Sequence, residues 1–405
     1  MFLVALAYLA FVSLALPPSM LGVVWPTMRL SLAQPLTAVG LVPPVGVLAG
    51  LVSTSLAPWL VRRFGVGRVL AAGTGGSALA LALSAASTSM GLFLASVAVG
   101  GLAAGALDTT LNVFAARRFG PRRINLMHAS YGLGAAASPL IVTAVLVSGL
   151  SWRWSYLIVL GLQLVVAATF ALTRHRWDVP MPETAARRLR STRVWNLDSL
   201  LGIVLSAVQN GIESTVAIWA FTHLVGLGVP TVVAGGLASG YWLTLVLGRV
   251  VLGSLAERIG AWGVLVISVT ILLVASLLAN LTLPAPAMAA VLLFGVGAAP
   301  VYPLLVLTTA RRTSALVADR VIGLQAAASS IGAATIPGLA GLAIAVTLPA
   351  FGWVTGGLSL AATILVLAMR RRSLRTDGGA GASPPPAPRV SREGPPPARR
   401  PLRPA

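Results

Sequence analysis

The sequence has no cysteine, and only nine acidic residues and three histidines among its 405 residues. Without cysteine the chain offers neither a disulfide framework nor a thiolate metal site. The acids and histidines do not cluster with the spacing of metal ligands, and the glycines form neither a Walker loop nor a dinucleotide-binding fingerprint. These absences argue against an enzyme, a metal site, a cofactor and transport driven by ATP.

Charged residues are also scarce, whereas apolar residues dominate. Only 9% of the residues are charged and 57% are hydrophobic, and the mean hydropathy is +0.90. A soluble domain of this length is far more polar. Each membrane-spanning helix needs roughly 20 apolar residues, so about 370 residues outside a polar C-terminal tail predict about twelve spans. The chain is therefore predicted to be an integral membrane protein.

The apolar runs and the polar segments between them predict the order of the chain. The first run is too long for a signal peptide and lacks a cleavage site, so it is interpreted as the first helix. The predicted helices lie at about 2–25, 36–61, 69–87, 90–115, 124–149, 154–173, 197–223, 231–255, 263–282, 287–309, 321–345 and 351–369. They form an N-terminal half (1–173) and a C-terminal half (197–369), separated by a cytoplasmic linker (174–196) and followed by a Pro/Gly/Arg-rich tail (370–405) that is predicted to be disordered.

The net charge of +20 comes from arginine alone, since the chain has no lysine. The arginines fall in alternate loops, and the opposite loops hold only Arg29 and Arg153. This asymmetry predicts that both termini are cytoplasmic. No basic motif interleaved with aromatic residues is present, so nucleic acid is not an expected partner. The use of arginine throughout is typical of a GC-rich bacterial genome, which makes the bacterial inner membrane the expected location.

Several segments repeat across the central linker. "PWLVRRFGVGRVL" from Pro58 aligns with "GSLAERIGAWGVL" from Gly253 at an offset of 195, and "GLGAAASP" aligns with "SIGAATIP" at an offset of 198. The matching segments lie on the same side of the membrane, so the repeats are parallel. The sequence thus predicts an all-α membrane protein with 12 transmembrane helices in two six-helix parallel repeats.

The segment "GSLAERIG" resembles the loop signature of the major facilitator superfamily, Gly-x-Leu-Ala-Asp-Arg-x-Gly. The resemblance implies an alternating-access carrier in which Gly253, Glu257 and Arg258 take part in gating. Arg249, inside the eighth helix, is a further gating candidate because an arginine there must pair or extend to the membrane surface.

A narrower resemblance covers most of the chain. "GALDTTLNVFAARR" and "QNGIESTVAIWAFTHL" are similar to the fourth and seventh helices of the fucose-permease-like branch of sugar and metabolite transporters. The matching polar positions are Asp108 and Asn112 in the fourth helix and Glu213 and Trp219 in the seventh. The resemblance implies proton-coupled uptake of a small polar, often sugar-like, solute.

Asp108 is the first candidate for proton coupling. Gly101, Gly105, Asp108 and Asn112 lie within about 60° on one helical face. A charged group in hydrocarbon costs at least about 2.5 kcal/mol, so this face should line the bundle interior or a cavity. A carboxyl group removed from water can bind and release a proton near neutral pH. The alternative is an acid that pairs structurally with an arginine.

A second polar face runs along the seventh helix. Gln209 and Glu213 share it, and Asn210 lies at its edge. Amides and an acid supply the paired donors and acceptors that sugar hydroxyl groups need. Glu213 is therefore also a candidate for coupling, and its alternative is a structural partner of Arg249.

Other candidates follow from residue type and position. His128, near the start of the fifth helix, either pairs with Asp108 or titrates by itself, and the alternative is an interfacial histidine. Further solute-binding candidates are aromatic or amide side chains, namely Asn112, Trp219, Tyr241, Trp242, Tyr302 and Gln325.

Proton symport of a polar solute is the favoured function, and a proton-coupled exporter of drugs or metabolites is the alternative. Such exporters usually have an arginine in the fourth helix and a Gly-Pro-x-x-Gly-Gly run in the fifth, whereas this chain has Asp108 and "GAAASPLIV". The expected partners are a small solute, protons and the lipid bilayer, and the chain is expected to act as a monomer.

Overall fold

The computed structural model describes residues 1–177, 196–312, 315–347 and 349–379. This part of the chain contains twelve α-helices and two short 3₁₀ helices, Leu36–Leu41 and Arg174–Trp177. The α-helices are α1 (Phe2–Ser31), α2 (Val42–Phe64), α3 (Val66–Ala86), α4 (Met90–Arg118), α5 (Pro121–Val147), α6 (Arg153–Thr173), α7 (Leu197–Gly226), α8 (Thr231–Asn280), α9 (Pro284–Ala298), α10 (Val301–Arg312), α11 (Ala315–Ile344) and α12 (Ala350–Gly379).

Local sequence determines where several helices begin. Proline occupies one of the first two positions of α2, α5 and α9, where its missing N–H costs no helical hydrogen bond. Ser89 caps α4 by accepting a hydrogen bond from the Leu92 N–H at 3.3 Å. Asn196 caps α7 in the same way, with the Ser199 N–H at 2.8 Å. The two helices that carry Asp108 and Glu213 thus each begin at a capping side chain.

The predicted number of membrane crossings is confirmed within the described residues. Eleven helical segments there are long and apolar enough to cross a membrane, and one of them is the 50-residue α8. Gly260, with φ 79° and ψ 158°, divides α8 into two arms of membrane-spanning length. Conversely, α9 and α10 together form one crossing that is broken at Ala299 and Pro300. Twelve crossings result.

The backbone repeats in the two sets of six crossings. Gly65, between α2 and α3, has φ 84° and ψ 156°, almost the same conformation as Gly260. The two residues are 195 positions apart, the offset at which the surrounding segments align. A positive φ of this kind is accessible to glycine without a steric penalty. The same sharp turn therefore joins the second and third crossings of each repeat.

Close contacts between helices repeat as well. Gly134 of α5 lies against the Val12 carbonyl of α1, and Gly332 of α11 lies against the Ala207 carbonyl of α7. A Cβ atom at either glycine would overlap the carbonyl oxygen. Small residues that let two backbones approach are typical of helix packing in membranes. The parallel repeat predicted from the sequence is confirmed by these equivalent contacts.

We call α1–α6 the N-terminal half and α7–α12 the C-terminal half. The halves touch in the middle and at the end away from the arginine-rich loops. An added Cβ at Gly40, which precedes α2, would lie 2.7 Å from the Gly338 Cα of α11. Ser239 of α8 donates a hydrogen bond to the Ala136 carbonyl of α5. Hence the halves are closed against each other at the end far from these loops.

Side chains near the arginine-rich end are accessible on the helices that make these contacts. Asn125 and His128, near the start of α5, are exposed, and so are Arg249 and Glu257 of α8. These residues precede the contact positions on α5 and follow them on α8. The interface between the two halves is thus tighter at one end of the bundle than at the other.

The predicted linker and tail fall mostly outside the described residues, which omit 178–195 and 380–405. The described part of the tail differs from the prediction, because α12 continues past Arg370 to Gly379. Near this end, the Arg372 Nε atom lies 2.7 Å from the Asp198 Oδ1 atom of α7. This ion pair holds the C-terminal turns of α12 beside the first turn of α7.

Gly134→Ala tests the importance of the close α1–α5 contact. The added Cβ would overlap the Val12 carbonyl, and overpacking of this kind costs about 1–3 kcal/mol. We expect a lower melting temperature in detergent, measured by light scattering or intrinsic fluorescence. The control is Gly161→Ala on α6, where a Cβ meets no atom within 4 Å and stability should not fall. Equal melting temperatures for the two variants would contradict the packing argument.

Candidate functional site

The predicted pair on α4 is present in the structure. Asp108 and Asn112 are half-buried, and the Asn112 Nδ2 atom donates to the Asp108 Oδ1 atom and to the Asp108 carbonyl, each at 3.0 Å. The preceding glycines of the same face, Gly101 and Gly105, pack on the α2 backbone. The glycine contacts hold α4 against α2, and the amide holds the carboxylate of Asp108 in one orientation.

Two residues of α5 lie near Asp108. The charges of His128 and Asp108 interact, while the His128 ring meets the Phe11 ring of α1 edge to face, with centroids 5.2 Å apart. The hydroxyl group of Tyr131, one helical turn further along, lies within the electrostatic influence of Asp108. The predicted proximity of His128 and Asp108 is therefore present, although His128 itself is exposed.

A second acidic site lies on α7. The Gln209 Nε2 atom donates to the Glu213 Oε2 atom at 3.2 Å and to the Ala298 carbonyl of α9 at 3.0 Å. The Tyr241 hydroxyl of α8 donates to the Glu213 carbonyl at 3.0 Å. Glu213 itself is half-buried. The C-terminal half thus holds its carboxylate with an amide, as the N-terminal half does at Asp108.

The two acidic sites meet at Tyr131. Its hydroxyl group experiences the charges of Asp108 from the N-terminal half and of Glu213 and Arg249 from the C-terminal half. Its neighbour Gly132 packs against the Val246 side chain of α8. Tyr131 therefore lies where the two halves adjoin, within the electrostatic influence of both carboxylates.

Sequence reasoning did not select Tyr131. Its position three residues after His128 places both on one face of α5, which is the signal that could have identified it. The hydrogen bond that the Ala298 carbonyl accepts from Gln209 could not be predicted, because a backbone acceptor cannot be recognised from residue type.

Three predicted solute-binding residues are engaged inside the C-terminal half. Trp219 is fully buried and donates to the Pro337 carbonyl of α11 at 2.9 Å. Gln325 is also buried, and its Nε2 atom donates to the Thr309 Oγ1 atom at 2.9 Å. Asn210 donates to the Ser329 Oγ atom of α11 at 2.8 Å. These contacts connect α7 and α10 to α11, so the three side chains contribute to packing within the C-terminal half.

The other aromatic candidates lie on α8 and α10, and of these Tyr241 bonds to Glu213. Tyr241 is buried, and its ring contacts that of the half-buried Trp242 with centroids 5.3 Å apart. Tyr302 is half-buried in the first turn of α10, directly after the break at Ala299 and Pro300. The exposed faces of Trp242 and Tyr302 leave room for contact with another molecule.

The predicted gating residues lie at the arginine-rich end of α8. Glu257 and Arg258 are exposed, and a Cβ at Gly253 would meet none of the described atoms within 4 Å. Exposed Arg249 acts electrostatically on the hydroxyl groups of Tyr131 and Tyr241, so it is nearer to the acidic sites than the other three. The gating roles remain predictions.

Comparison with known proteins identifies the family. The sequence model of the Major Facilitator Superfamily matches residues 7–318. The chain belongs to the major facilitator superfamily. A search of curated protein sequences found no match.

Solved structures share the fold at low sequence identity. A mutant of the nucleoside transporter NupG has a TM-score of 0.75 and 14% identity, covering 90% of this chain and 98% of that one. A D-xylose-proton symporter has a TM-score of 0.68 and 14% identity, with coverages of 91% and 96%. A bacterial homologue of the human lysosomal transporter Spinster, inward-facing and unoccupied, has a TM-score of 0.69 and 12% identity, with coverages of 92% and 95%. The family and these structures indicate a multi-pass membrane transporter rather than an enzyme.

Trp219→Phe tests whether this side chain serves packing. The substitution removes the hydrogen bond to the buried Pro337 carbonyl, which is worth about 1 kcal/mol. We expect a lower melting temperature than for Trp154→Phe, since Trp154 is exposed on α6. We also expect the apparent affinity for a transported solute to stay unchanged. A stable variant with weakened solute binding would instead place Trp219 in the solute site.

Proposed function

We propose that this chain is a proton symporter of the cytoplasmic membrane that takes up a small polar solute, such as a sugar or a related metabolite. The observation that carries the proposal is the pair of amide-held carboxylates, one in each half, that both act electrostatically on Tyr131. In a rocking carrier, groups near the interface of the halves can bind solute and proton together. The arginine distribution supports cytoplasmic termini.

Asp108 is the proposed proton carrier. A carboxylate in a membrane-spanning helix is costly unless it is hydrogen-bonded or protonated, and Asn112 supplies one donor to it. His128 provides a second titratable group within its electrostatic influence. A proton bound here reduces the charge that must cross the low-dielectric region when the halves move. This effect would couple proton entry to the conformational change.

Glu213 is the proposed solute contact. One carboxylate oxygen accepts the Gln209 amide hydrogen. The Tyr241 hydroxyl bonds to the Glu213 carbonyl, and the ring of Trp242, which contacts that of Tyr241, is partly exposed, as is Tyr302 on α10. A carboxylate and aromatic faces are groups that bind hydroxylated solutes. The similarity to transporters named for nucleosides and D-xylose supports a polar solute of this kind. The resemblance to the fucose-permease-like branch supports the same choice.

Thermal stabilisation should identify the solute. Purified protein is screened against sugars, sugar acids and polyols at two pH values, because a ligand that binds the folded state raises the melting temperature. We expect one hydroxylated class to stabilise the protein, and Glu213→Gln to reduce that stabilisation. Stabilisation only by large apolar compounds would contradict symport of a polar solute.

Asp108→Asn tests the proton coupling. In proteoliposomes, we expect the variant to lose accumulation of the identified solute driven by a pH gradient, because an amide cannot carry the proton. Exchange of solute across the membrane should persist, since exchange needs no net proton movement. The matched control is Asp319→Asn, an exposed acid on α11, which should accumulate solute like the unmodified chain. Normal accumulation by Asp108→Asn would refute its role as proton carrier.

A further inference from the structure

Gln209 joins the acidic site of the C-terminal half to the end of a helix. Its amide nitrogen has two hydrogens, and they are directed to the Glu213 Oε2 atom at 3.2 Å and to the Ala298 carbonyl at 3.0 Å. The side chain is only 3% exposed, which leaves little surface for contact with a solute. Both donors of this amide are thus used inside the protein.

The Ala298 carbonyl needs such a donor. Ala298 is the last residue of α9, and the last four carbonyls of a helix have no partner within it. The residue is 1% exposed, and an unpaired buried carbonyl costs about 1–3 kcal/mol. Pro300 and Pro303 lack the backbone N–H groups that would bond to the Val296 and Ala299 carbonyls, so the helical hydrogen bonds are interrupted on both sides of Ala298. Gln209 of α7 therefore donates a hydrogen bond to the carbonyl of the last residue of α9.

The N-terminal half has no equivalent of this arrangement. At the repeat offset of 195, Gln209 and Glu213 correspond to Leu14 and Pro18 of α1. At the offset of 194, Ala298 corresponds to Ala104, which lies within the continuous helix α4. The helix break and the amide that spans it therefore belong to the C-terminal half.

We propose that Gln209 is a positioning residue that transmits the protonation state of Glu213 to the break between α9 and α10. The inference rests on the proposed function in one respect, that Glu213 lies on the solute path, and it adds that Glu213 itself binds and releases a proton. It goes beyond that function because it assigns Gln209 to the moving parts of the carrier rather than to the solute-binding surface.

The chemistry of the hydrogen bond gives the direction of the effect. An amide N–H bond to an ionised carboxylate is roughly twice as strong as one to a neutral group. Protonation of Glu213 weakens its bond with Gln209 and frees that amide to move relative to Ala298. Among the described residues, Glu213 acts electrostatically on the hydroxyl groups of Tyr131 of α5 and Tyr241 of α8, and Arg249 of α8 acts on the same two groups, so these residues influence the same equilibrium.

Movement at the break would reach the solute path through α10. Tyr302 lies in the first turn of α10, and its ring is partly exposed. Val306, four residues later, lies on the same face of the helix. A shift of α10 relative to α9 therefore displaces both residues together. This connection would let proton binding at Glu213 change the shape of the solute site.

The absence of cysteine allows a direct test. Val306→Cys on α10 and Leu360→Cys on α12 introduce two thiols for nitroxide labels, and the distance between the labels is measured by pulsed electron resonance in acidic and alkaline buffer. We expect a pH-dependent shift in the distance in the otherwise unmodified chain. In Glu213→Gln and Gln209→Leu backgrounds, we expect the shift to be lost and the distance to remain at its acidic value.

Two further variants separate this role from general destabilisation. Gln163→Leu removes another buried glutamine, which donates to the Thr74 carbonyl at 3.2 Å in the N-terminal half, and the pH-dependent shift should remain. The double variant P300A/P303A keeps Gln209 and Glu213 but allows α9 and α10 to join, and the shift should disappear. Persistence of the shift in Gln209→Leu or in P300A/P303A overturns the inference, as does a distance that is independent of pH in the unmodified chain.

The outcomes also distinguish this inference from the proposed function, because the distance is measured without transport. If Asp108→Asn still accumulates solute while Gln209→Leu abolishes the distance shift, proton carriage by Asp108 fails and the role of Gln209 stands. If accumulation depends on Asp108 while the shift survives in Gln209→Leu, the proposed function stands and the role of Gln209 fails.

Discussion

The close approach of glycine to a backbone carbonyl on the next helix is the interaction on which this structure depends. In a membrane, helices gain little from hydrophobic association, and packing needs small residues that let backbones touch. Gly134 and Gly332 make equivalent contacts in the two halves, and Gly101 and Gly295 form another such pair, against the carbonyls of Gly46 and Tyr241. These contacts fix the spacing of the helices, and that spacing determines which polar side chains can reach one another.

The two halves use the same scaffold but differ at the site. In the first half, Asp108 lies on the unbroken helix α4, and Asn112 of the same helix holds it. In the second half, the acid lies on α7, and its amide extends to the end of α9. Duplication therefore preserved the glycine contacts while the polar groups diverged. One acid is held within its own helix, and the other is connected through Gln209 to the end of a second helix.

The sequence predicted features that depend on local pattern, and it could not predict those that depend on distance through the fold. Hydropathy and the repeat indicated twelve crossings, and a four-residue spacing indicated the Asp108–Asn112 pair. The buried positions of Trp219 and Gln325 were not foreseen, because a polar or aromatic residue facing a cavity and one facing a neighbouring helix have the same pattern along the chain. The partner of Gln209 lies 89 residues away at a backbone carbonyl, which no residue type reveals.

The turns at Gly65 and Gly260 have a mechanical consequence. Each joins two membrane-spanning helices through a single residue of non-helical conformation. The two helices are therefore connected without a flexible loop between them. A displacement at one end of α2 or α8 must therefore be followed by the helix beyond the turn. The second and third crossings of each half are therefore coupled mechanically at the end of the bundle where the turn lies.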